Sequence, residues 1–194
     1  MPHDTGGREA IVAAAARLFS QKGYKGVSIR DIAQACGMTN AALYYHFENK
    51  EDLYLAVLRR RHDQVVQSIA GALAPEGDWV TRFKRLVLHY AETMCGQRQS
   101  FQMLRRDLAS LDKARAGKLF SEMHAGFMHP IQHLIETGQA EGQIRAGDPR
   151  LLARLLHGMI IALTFEGASR QARLTPREAD VLVDVFLNGV KSKT

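Results

Sequence analysis

A short stretch around residue 40 combines two apolar anchors with an outward row of polar and aromatic side chains. Leu43 and Phe47 are spaced i, i+4, so on a helix both point to the same inward face. The outward face then carries four other residues, namely Asn40, Ala41, Tyr44 and Tyr45. A helix of barely two turns gains little from its own hydrogen bonds, so exposed tyrosines on it need an explanation. Contact with the phosphates or bases of a nucleic acid is one explanation. Packing against neighbouring helices is the other, and it is the commoner role of a tyrosine taken alone.

A lysine in the first turn of the next helix favours the nucleic-acid interpretation. The helix macrodipole already places about half a positive charge at this end, so Lys50 alone is mildly unfavourable there. Its position makes sense if Lys50, Ser28, Thr39 and the amides at the adjoining helix starts meet backbone phosphates. A solvated lysine whose charge is offset by Glu51 and Asp52 is the alternative.

The sequence contains little that suggests catalysis or metal binding. His129 and His133 have the i, i+4 spacing of metal ligands, but Pro130 lies between them and no second ligand pair accompanies them. A Gly-x-Ser-x-Gly nucleophile elbow and a glycine-rich phosphate loop are both absent from the sequence. We therefore expect no enzyme activity, no cofactor and no metal.

The elements that position the residues around 40 are predicted to be helices. Almost every periodic segment has the helical period, and no alternating run suggests a hairpin. The first helix is expected from about Arg8 to Gln21, and the second follows the capping box Ser28-Ile29-Arg30-Asp31. Gly37 ends the second helix and Thr39 caps the third. Two short helices joined by a tight glycine turn, with a supporting helix before them, predict a helix-turn-helix, whose second helix enters the DNA major groove.

The remainder of the chain completes an all-α fold of about nine helices. A fourth helix from about 50 to 74 links an N-terminal helix-turn-helix domain, residues 1–50, to a C-terminal domain, residues 51–194. The later helices are expected from Trp79 to about Met94, around Phe101 to Leu108, from about Asp112 to Glu141 with a kink or break at Pro130, and after the proline starts Asp148-Pro149 and Thr175-Pro176.

Composition and charge exclude several other classes of protein. The chain has 194 residues, of which 46% are hydrophobic and 24% charged, enough for a packed core and unlike a disordered or fibrous chain. The nearly apolar run 155–165 is well short of the roughly 20 residues that span a bilayer. Residues 1–7 lack the apolar core of a signal peptide, so a cytoplasmic location is expected. The net charge is +6, and the first 62 residues hold nine basic against six acidic side chains, which suggests an anionic partner.

One dense sequence pattern resembles a known family. It comprises Gly23-Tyr24, the run from Val27 to Ala33, the run from Gly37 to Phe47 and the run from Asn49 to Leu53. This pattern is similar to the DNA-binding domain of the tetracycline-repressor (TetR) family of transcriptional regulators. The resemblance implies a homodimer that binds a double-stranded DNA operator through its helix-turn-helix. It also implies a divergent C-terminal domain that binds a small molecule and pairs two subunits.

The resemblance assigns DNA contacts to individual residues. Asn40, Ala41 and Tyr44 match the family positions that face base edges and backbone. Six further residues match its phosphate-contacting positions, namely Ser28, Arg30, Thr39, Tyr45, His46 and Lys50. The family often has glycine or proline at position 41, and threonine or serine at position 42, where this chain has Ala41 and Ala42. We therefore expect Asn40, whose amide can pair bidentately with adenine, to be the main base reader, with DNA shape and Arg8 near the minor groove adding specificity.

Large, adaptable apolar side chains in the second half predict a ligand pocket. Taken singly most are core residues, but polar groups among them, including His157, favour a cavity. The expected ligand is a small hydrophobic or aromatic molecule that His124 and Glu166 fix in place, because a buried imidazole or carboxylate needs a partner. The lining residues are expected to be Tyr90, Met94, Phe101, Phe120, Met123, His124, Phe127, Phe165 and Glu166.

The two C-terminal helices carry too many apolar residues to bury against one small domain. They predict a two-fold, four-helix interface between subunits, in which Gly158 allows the helices to approach closely. The residues expected at this interface are Leu152, Leu155, Leu156, Met159, Ile160, Leu163, Leu182, Val185 and Phe186.

These features predict a sequence-specific transcriptional regulator, most simply a repressor that a hydrophobic or aromatic ligand releases from a palindromic operator. No membrane partner is expected. Two alternatives stay open. One is a helical DNA-binding structural factor without ligand control, which predicts a C-terminal core without an open pocket. The other is a metal-dependent helical-bundle enzyme that uses His129, His133 and Glu166.

Overall fold

A computed structural model describes residues 5–72, 76–107, 110–165 and 174–190 of the chain. The regular elements in these ranges are all α-helices, which confirms the all-α fold class. Eight helices are described, against about nine expected: α1 (Thr5–Lys22), α2 (Ile29–Ala35), α3 (Asn40–His46), α4 (Lys50–Gly71), α5 (Trp79–Asp107), α6 (Lys113–Ala140), α7 (Pro149–Phe165) and α8 (Pro176–Val190).

The short helices α2 and α3 begin and end at the signals that the sequence contains. Ser28 Oγ accepts a hydrogen bond from the amide of Asp31 at 3.1 Å, and the Asp31 carboxylate accepts one from the amide of Ser28 at 2.8 Å. This reciprocal capping box fixes the start of α2. Thr39 Oγ1 accepts from the amide of Ala42 at 3.2 Å and so caps α3. Gly37 adopts a φ of +66° between the two helices, a conformation that favours glycine.

The structure corrects two expectations about the longer helices. The expected end of a helix near Met94 is wrong, because α5 runs without interruption from Trp79 to Asp107. Gly96 lies inside α5, and an interior glycine costs only about 1 kcal/mol, which a helix of 29 residues tolerates. No break occurs at Pro130 either, since α6 continues through it, and a kink there stays a prediction. Pro130, Ile131 and Leu134 are buried, and this packing compensates for the lost backbone hydrogen bond.

The chain divides into two compact units. The first comprises residues 1–63 and 99–121, and the second comprises residues 64–98 and 122–194. The first unit extends farther along α4 than residue 50 and takes in the end of α5 and the start of α6. The expected division into functional domains at residue 50 stays a prediction.

The core of the first unit is built on α1, against which α2 packs, and α2 in turn packs on α3. Its buried apolar side chains include Ile11, Ala15 and Phe19 of α1, Ile32 and Ala33 of α2, Leu43 of α3, Phe47, and Leu53 and Tyr54 of α4. Burial of Leu43 and Phe47 confirms that they are the inward anchors of α3.

The second unit has an aromatic core between α5, α6 and α8. Trp79 stacks on Phe83 with ring centroids 5.0 Å apart, and Phe83 stacks on Phe186 at 5.4 Å. The Trp79 indole also donates a hydrogen bond to the carbonyl of Leu134 at 2.7 Å. A Cβ at position 138 would overlap this indole, so Gly138 is required for the close approach of the Trp79 ring to α6. Across the described ranges, the helices are too short or too polar for any of them to cross a membrane.

Candidate DNA interface and ligand site

Helix α3 presents the outward row that the sequence predicts. Tyr45 is 80% exposed and Tyr44 52% exposed, and Asn40 and Ala41 are exposed beside them. The alternative in which both tyrosines pack against neighbouring helices is therefore wrong for Tyr45. Within its own chain, the ring of Tyr45 makes an edge contact with His46 at 5.2 Å. The exposed rings leave the outer face of α3 available to a partner.

Three of the expected phosphate contacts lie at the starts of α2 and α3. Ser28, Arg30 and Thr39 are exposed, whereas His46 is half-buried. The Ser28 hydroxyl already donates to the Asp31 carboxylate at 2.7 Å. The hydrogen bonds from the side chain and the amide of Ser28 lower the pKa of Asp31 below its ordinary value.

Lys50 makes its hydrogen bonds within the protein. Its ammonium group donates to the carbonyl oxygens of Tyr24 at 2.9 Å and Val27 at 3.0 Å. It also lies over the Tyr24 ring, 4.2 Å from the centroid. Burial lowers the pKa of Lys50, and the charge of Asp107 opposes that shift. Two of its three N–H donors thus stabilise the loop between α1 and α2, and a phosphate contact by Lys50 stays a prediction.

Salt dependence separates these two roles of Lys50. A role in the loop alone predicts that Lys50→Ala weakens DNA binding and leaves the slope of log K against log salt unchanged, because the ammonium group then acts only within the protein. Arg30→Ala, at an exposed position on α2, is expected to reduce the slope by about one unit per monomer. Titrations of duplex DNA at several salt concentrations measure both slopes. A fall of about one unit in Lys50→Ala would assign this lysine to a phosphate instead.

A second cation lies near the end of α3. The guanidinium group of Arg8 lies over the ring of Phe47, 4.8 Å from its centroid. Phe47 is the C-terminal cap of α3. A cation–π contact of this kind restrains Arg8, which the sequence suggested as a minor-groove contact.

The expected ligand-site residues differ in burial and in the unit to which they belong. Tyr90, Met94, Met123 and Phe127 are buried and belong to the second unit, whereas the half-buried Phe120 belongs to the first. His124 is exposed, so the expectation that it is a buried polar group is corrected: its position on α6 faces outward. The side chains of Phe101 and Phe165, and all of Glu166, lie outside the described residues.

The second unit contains a polar contact that the sequence indicated only in part. The hydroxyl group of the buried Tyr90 forms a 2.7 Å hydrogen bond with Nδ1 of His157. His157 also makes edge-to-face contacts with the rings of Tyr90 at 5.8 Å and His124 at 5.9 Å. Burial raises the pKa of Tyr90 and lowers that of His157, and the neighbouring His124 adds to the second effect. His157 was noticeable as a lone imidazole in the apolar helix α7, but its partner could not be inferred from the sequence.

The lowered pKa of His157 predicts a loss of stability in acid. The folded state favours the neutral imidazole of His157. Its contribution to the free energy of unfolding is therefore complete above pH 6.5, the ordinary pKa of histidine, and is lost as the pH falls below that value. We expect thermal unfolding to occur at lower temperature near pH 5 than near pH 7.5. His157→Gln should reduce this pH dependence, whereas His133→Gln, at an exposed histidine, should retain it. An equal pH dependence in both variants would contradict the assignment.

The expected subunit interface is corrected by the burial of its residues. Leu152, Leu156, Ile160, Leu182 and Phe186 are buried in the core of their own chain and are not available to a partner. Helices α7 and α8 each have one apolar face toward this core and a second apolar face outside it. The periodicity of the sequence alone does not distinguish the residues of the two faces. The exposed face carries Leu151, Leu155 and Leu163 of α7 and Val181 and Val185 of α8, with Met159 half-buried.

The histidines considered as metal ligands lie on the surface. His129 and His133 are exposed, and Nδ1 of His133 lies 4.0 Å from Oε2 of Glu136. In the parts of the chain that the structure describes, histidine, cysteine, aspartate and glutamate side chains form no group of three that could hold a metal ion.

Comparison with known proteins adds to this geometry. Residues 11–57 match the family model described as bacterial regulatory proteins, tetR family. Residues 76–165 match the model described as tetracyclin repressor-like, C-terminal domain. Together the two matches cover both the helix-turn-helix and most of the second half. The chain belongs to the TetR family.

Individual relatives agree with this membership. The HTH-type transcriptional repressor KstR2 of Rhodococcus jostii is 26% identical over 78% of this chain and 75% of its own length. The fatty acid metabolism regulator protein of Bacillus subtilis is 19% identical over 77% of both chains. A crystal structure described as a TetR-family transcriptional regulator from Mesorhizobium loti is similar over 99% of this chain and 100% of its own chain. The TM-score is 0.83 and the sequence identity is 22%.

The family assigns the general activity of the chain. It is a DNA-binding transcriptional regulator of the TetR family, whose members bind DNA operators, usually as dimers, and typically respond to small molecules. Its fold and its relatives are those of regulators and not of enzymes.

Proposed function

We propose that this TetR-family protein is a homodimeric repressor that binds a palindromic operator and is released from it by a small hydrophobic or aromatic ligand. One observation carries the proposal. Among the described residues, the large hydrophobic side chains that are exposed fall on two surfaces, Tyr44 and Tyr45 on α3 and a row of leucines and valines on α7 and α8. The first surface suits DNA and the second suits another copy of the chain.

The row on α7 and α8 has the properties of a subunit interface. Leu151, Leu155 and Leu163 follow the helical repeat of four residues on α7, as Val181 and Val185 do on α8. A contiguous apolar face of this kind is unusual on a monomer. Gly158 lies among these residues, and a Cβ added there would meet nothing in its own chain. Pairing of two such faces about a two-fold axis gives a four-helix interface.

A two-fold dimer dictates the form of its operator. Two copies of α3 related by a two-fold axis read the same sequence on opposite strands, which is why the operator is expected to be palindromic. Binding in adjacent major grooves on one side of the duplex requires half-sites roughly 34 Å apart. A ligand that favours a different separation of the two α3 helices would release the DNA.

The proposed ligand is a mainly apolar molecule with one polar group. Tyr90, Met94, Met123 and Phe127 supply aromatic and thioether side chains in the second unit, and Tyr90 and His157 supply a hydroxyl group and an imidazole. The relative from Bacillus subtilis is named for fatty acid metabolism, which supports a ligand with a long apolar portion. Repression is supported by the name of KstR2, a transcriptional repressor.

A screen for release of DNA tests the ligand proposal. A duplex selected by the unmodified protein is incubated with fatty acids and aromatic carboxylic acids, and both thermal stability and DNA release are followed. Compounds that stabilise the protein are expected to release the duplex, and Phe127→Ala and His157→Gln should weaken both responses. If no compound acts, or if both variants respond as the unmodified protein does, regulation without a ligand becomes the better explanation.

A further inference from the structure

The loop between α1 and α2 is held from within by three side chains, Lys50 and Tyr54 of α4 and Asp107 at the end of α5, which we call the loop clamp. Asp107 Oδ2 accepts a hydrogen bond from the backbone amide of Tyr24 at 3.3 Å and another from the hydroxyl group of Tyr54 at 2.9 Å. All of these residues belong to the first compact unit. The clamp therefore joins the end of α5 to a loop some 80 residues earlier in the chain.

Asp107 is the central member of the loop clamp. Its carboxylate is only 6% exposed, and a buried carboxylate is costly unless hydrogen bonds and a positive charge compensate for lost water. The two donors to Oδ2 and the charge of Lys50 provide that compensation. The Tyr54 ring lies 4.8 Å from the ring of Tyr24, so the side chain that binds Asp107 also packs against the loop.

The clamped loop leads directly into the DNA-binding helices. It ends at Ser28, the N-terminal cap of α2, and α2 packs against α3. Lys50 binds the carbonyl of Val27, the residue immediately before that cap. A shift of the loop would therefore move the start of α2 and, through α2, the exposed face of α3.

A second contact ties the start of α6 to the same end of α4. Arg115 donates to Asp52 at 2.9 Å and lies 3.8 Å from Glu51. These groups are more exposed than Asp107, so the ion pairs contribute less than the buried carboxylate does.

We propose that Asp107 is a positioning residue for DNA binding, through which α5 sets the arrangement of α2 and α3 that fits the operator. Helix α5 also supplies residues 79–98, including Tyr90, to the second unit. A ligand that displaces α5 would thus act on Asp107, and this part of the inference rests on the proposed ligand control. The role of Asp107 in DNA binding does not depend on a ligand.

Substitutions at both ends of α5 test this role. Asp107→Ala removes the clamp, whereas Asp78→Ala removes the cap at the other end of the same helix, where Asp78 accepts from the amide of Thr81 at 2.8 Å. Affinity for a selected duplex is measured at a temperature at which every variant is folded. We expect Asp107→Ala to bind about tenfold more weakly, equivalent to about 1.4 kcal/mol, and Asp78→Ala to bind within about twofold of the unmodified protein.

A double-mutant cycle and hydrogen exchange separate positioning from general destabilisation. Tyr54→Phe should weaken DNA binding less than Asp107→Ala, and the double variant should bind as Asp107→Ala does, because the hydroxyl group acts through the carboxylate. The amide of Tyr24 should exchange faster in Asp107→Ala but not in Asp78→Ala. If Asp107→Ala does not fold, Asp107→Asn, which keeps an acceptor oxygen but loses the charge, should give an intermediate loss of affinity.

Three results would overturn the inference. They are equal DNA affinity in Asp107→Ala and Asp78→Ala, additive effects in the cycle, and unchanged exchange at Tyr24. Each leaves DNA binding by the unmodified protein intact, so the proposal for Asp107 can fail while the proposed function stands. Conversely, the absence of any ligand response would leave the effect of Asp107→Ala on DNA affinity in place.

Discussion

Leu155→Glu is expected to convert the protein from a dimer into a folded monomer and to weaken binding to a palindromic duplex by at least about 100-fold, or roughly 2.7 kcal/mol. Leu155 is 53% exposed in its own chain, so the substitution removes little core packing. In a two-fold interface the glutamate enters twice, and two like charges then have to be buried near each other. A monomer binds one half-site only and loses the contribution of the second. Sedimentation and DNA titration with the same sample measure both effects.

Two further variants serve as controls for Leu155→Glu. Ile160 is only 1% exposed, so Ile160→Glu buries an unpaired charge and should unfold the chain instead of producing a monomer. A Cβ added at the exposed Gly158 meets nothing in its own chain, so Gly158→Leu is expected to preserve folding while hindering the approach of a second copy. A Leu155→Glu protein that still sediments as a dimer would contradict the proposed interface.

Asn40→Ala is expected to have the second large effect, a loss of sequence preference at one position in each half-site. A good amide–adenine pair contributes about 1–3 kcal/mol of discrimination. Since the dimer uses Asn40 twice, binding to the preferred duplex should weaken by about 2–6 kcal/mol, or until it reaches non-specific affinity. Asn40 is exposed at the first turn of α3, so folding should be unaffected.

A matched substitution of another exposed amide shows whether the loss of sequence preference is specific to Asn40. Gln64→Ala removes an exposed amide from the part of α4 that belongs to the second unit, and should leave both affinity and preference unchanged. Binding is compared on the preferred duplex and on duplexes altered at single positions. If Asn40→Ala weakens binding to all of them equally, Asn40 contacts the backbone and base reading lies elsewhere, with Tyr44 or Arg8 the next residues to test.

The sequence predicted the parts of the fold that depend on neighbouring residues. The caps of α2 and α3 at Ser28 and Thr39, and the inward anchors Leu43 and Phe47, form through contacts within a few residues, so local spacing suffices to identify them. The exposed face of α3 followed from the same spacing. Its assignment to DNA needed the family resemblance, because exposed tyrosines alone have several uses.

Features that depend on distant residues could not be predicted in this way. Leu155 and Ile160 have similar apolar surroundings in the sequence, but one is exposed and the other is buried, because the packing of α7 on α8 decides between the two faces. The hydrogen bonds of Lys50 to the α1–α2 loop have no local signal either, because their acceptors lie 26 and 23 residues away in the chain. Asp107 carries no local signal, since its partners lie 83 and 53 residues away in the chain.

The most direct measurement is selection of bound duplexes from a random pool by the unmodified full-length protein, with the stoichiometry of the final complex determined by sedimentation. We expect the selected sequences to share a two-fold symmetric motif whose half-sites are about 10 base pairs apart, or a multiple of that distance, bound by a dimer. Failure to enrich any sequence, or enrichment of a single asymmetric site bound by one chain, would contradict a dimeric regulator that reads DNA through α3.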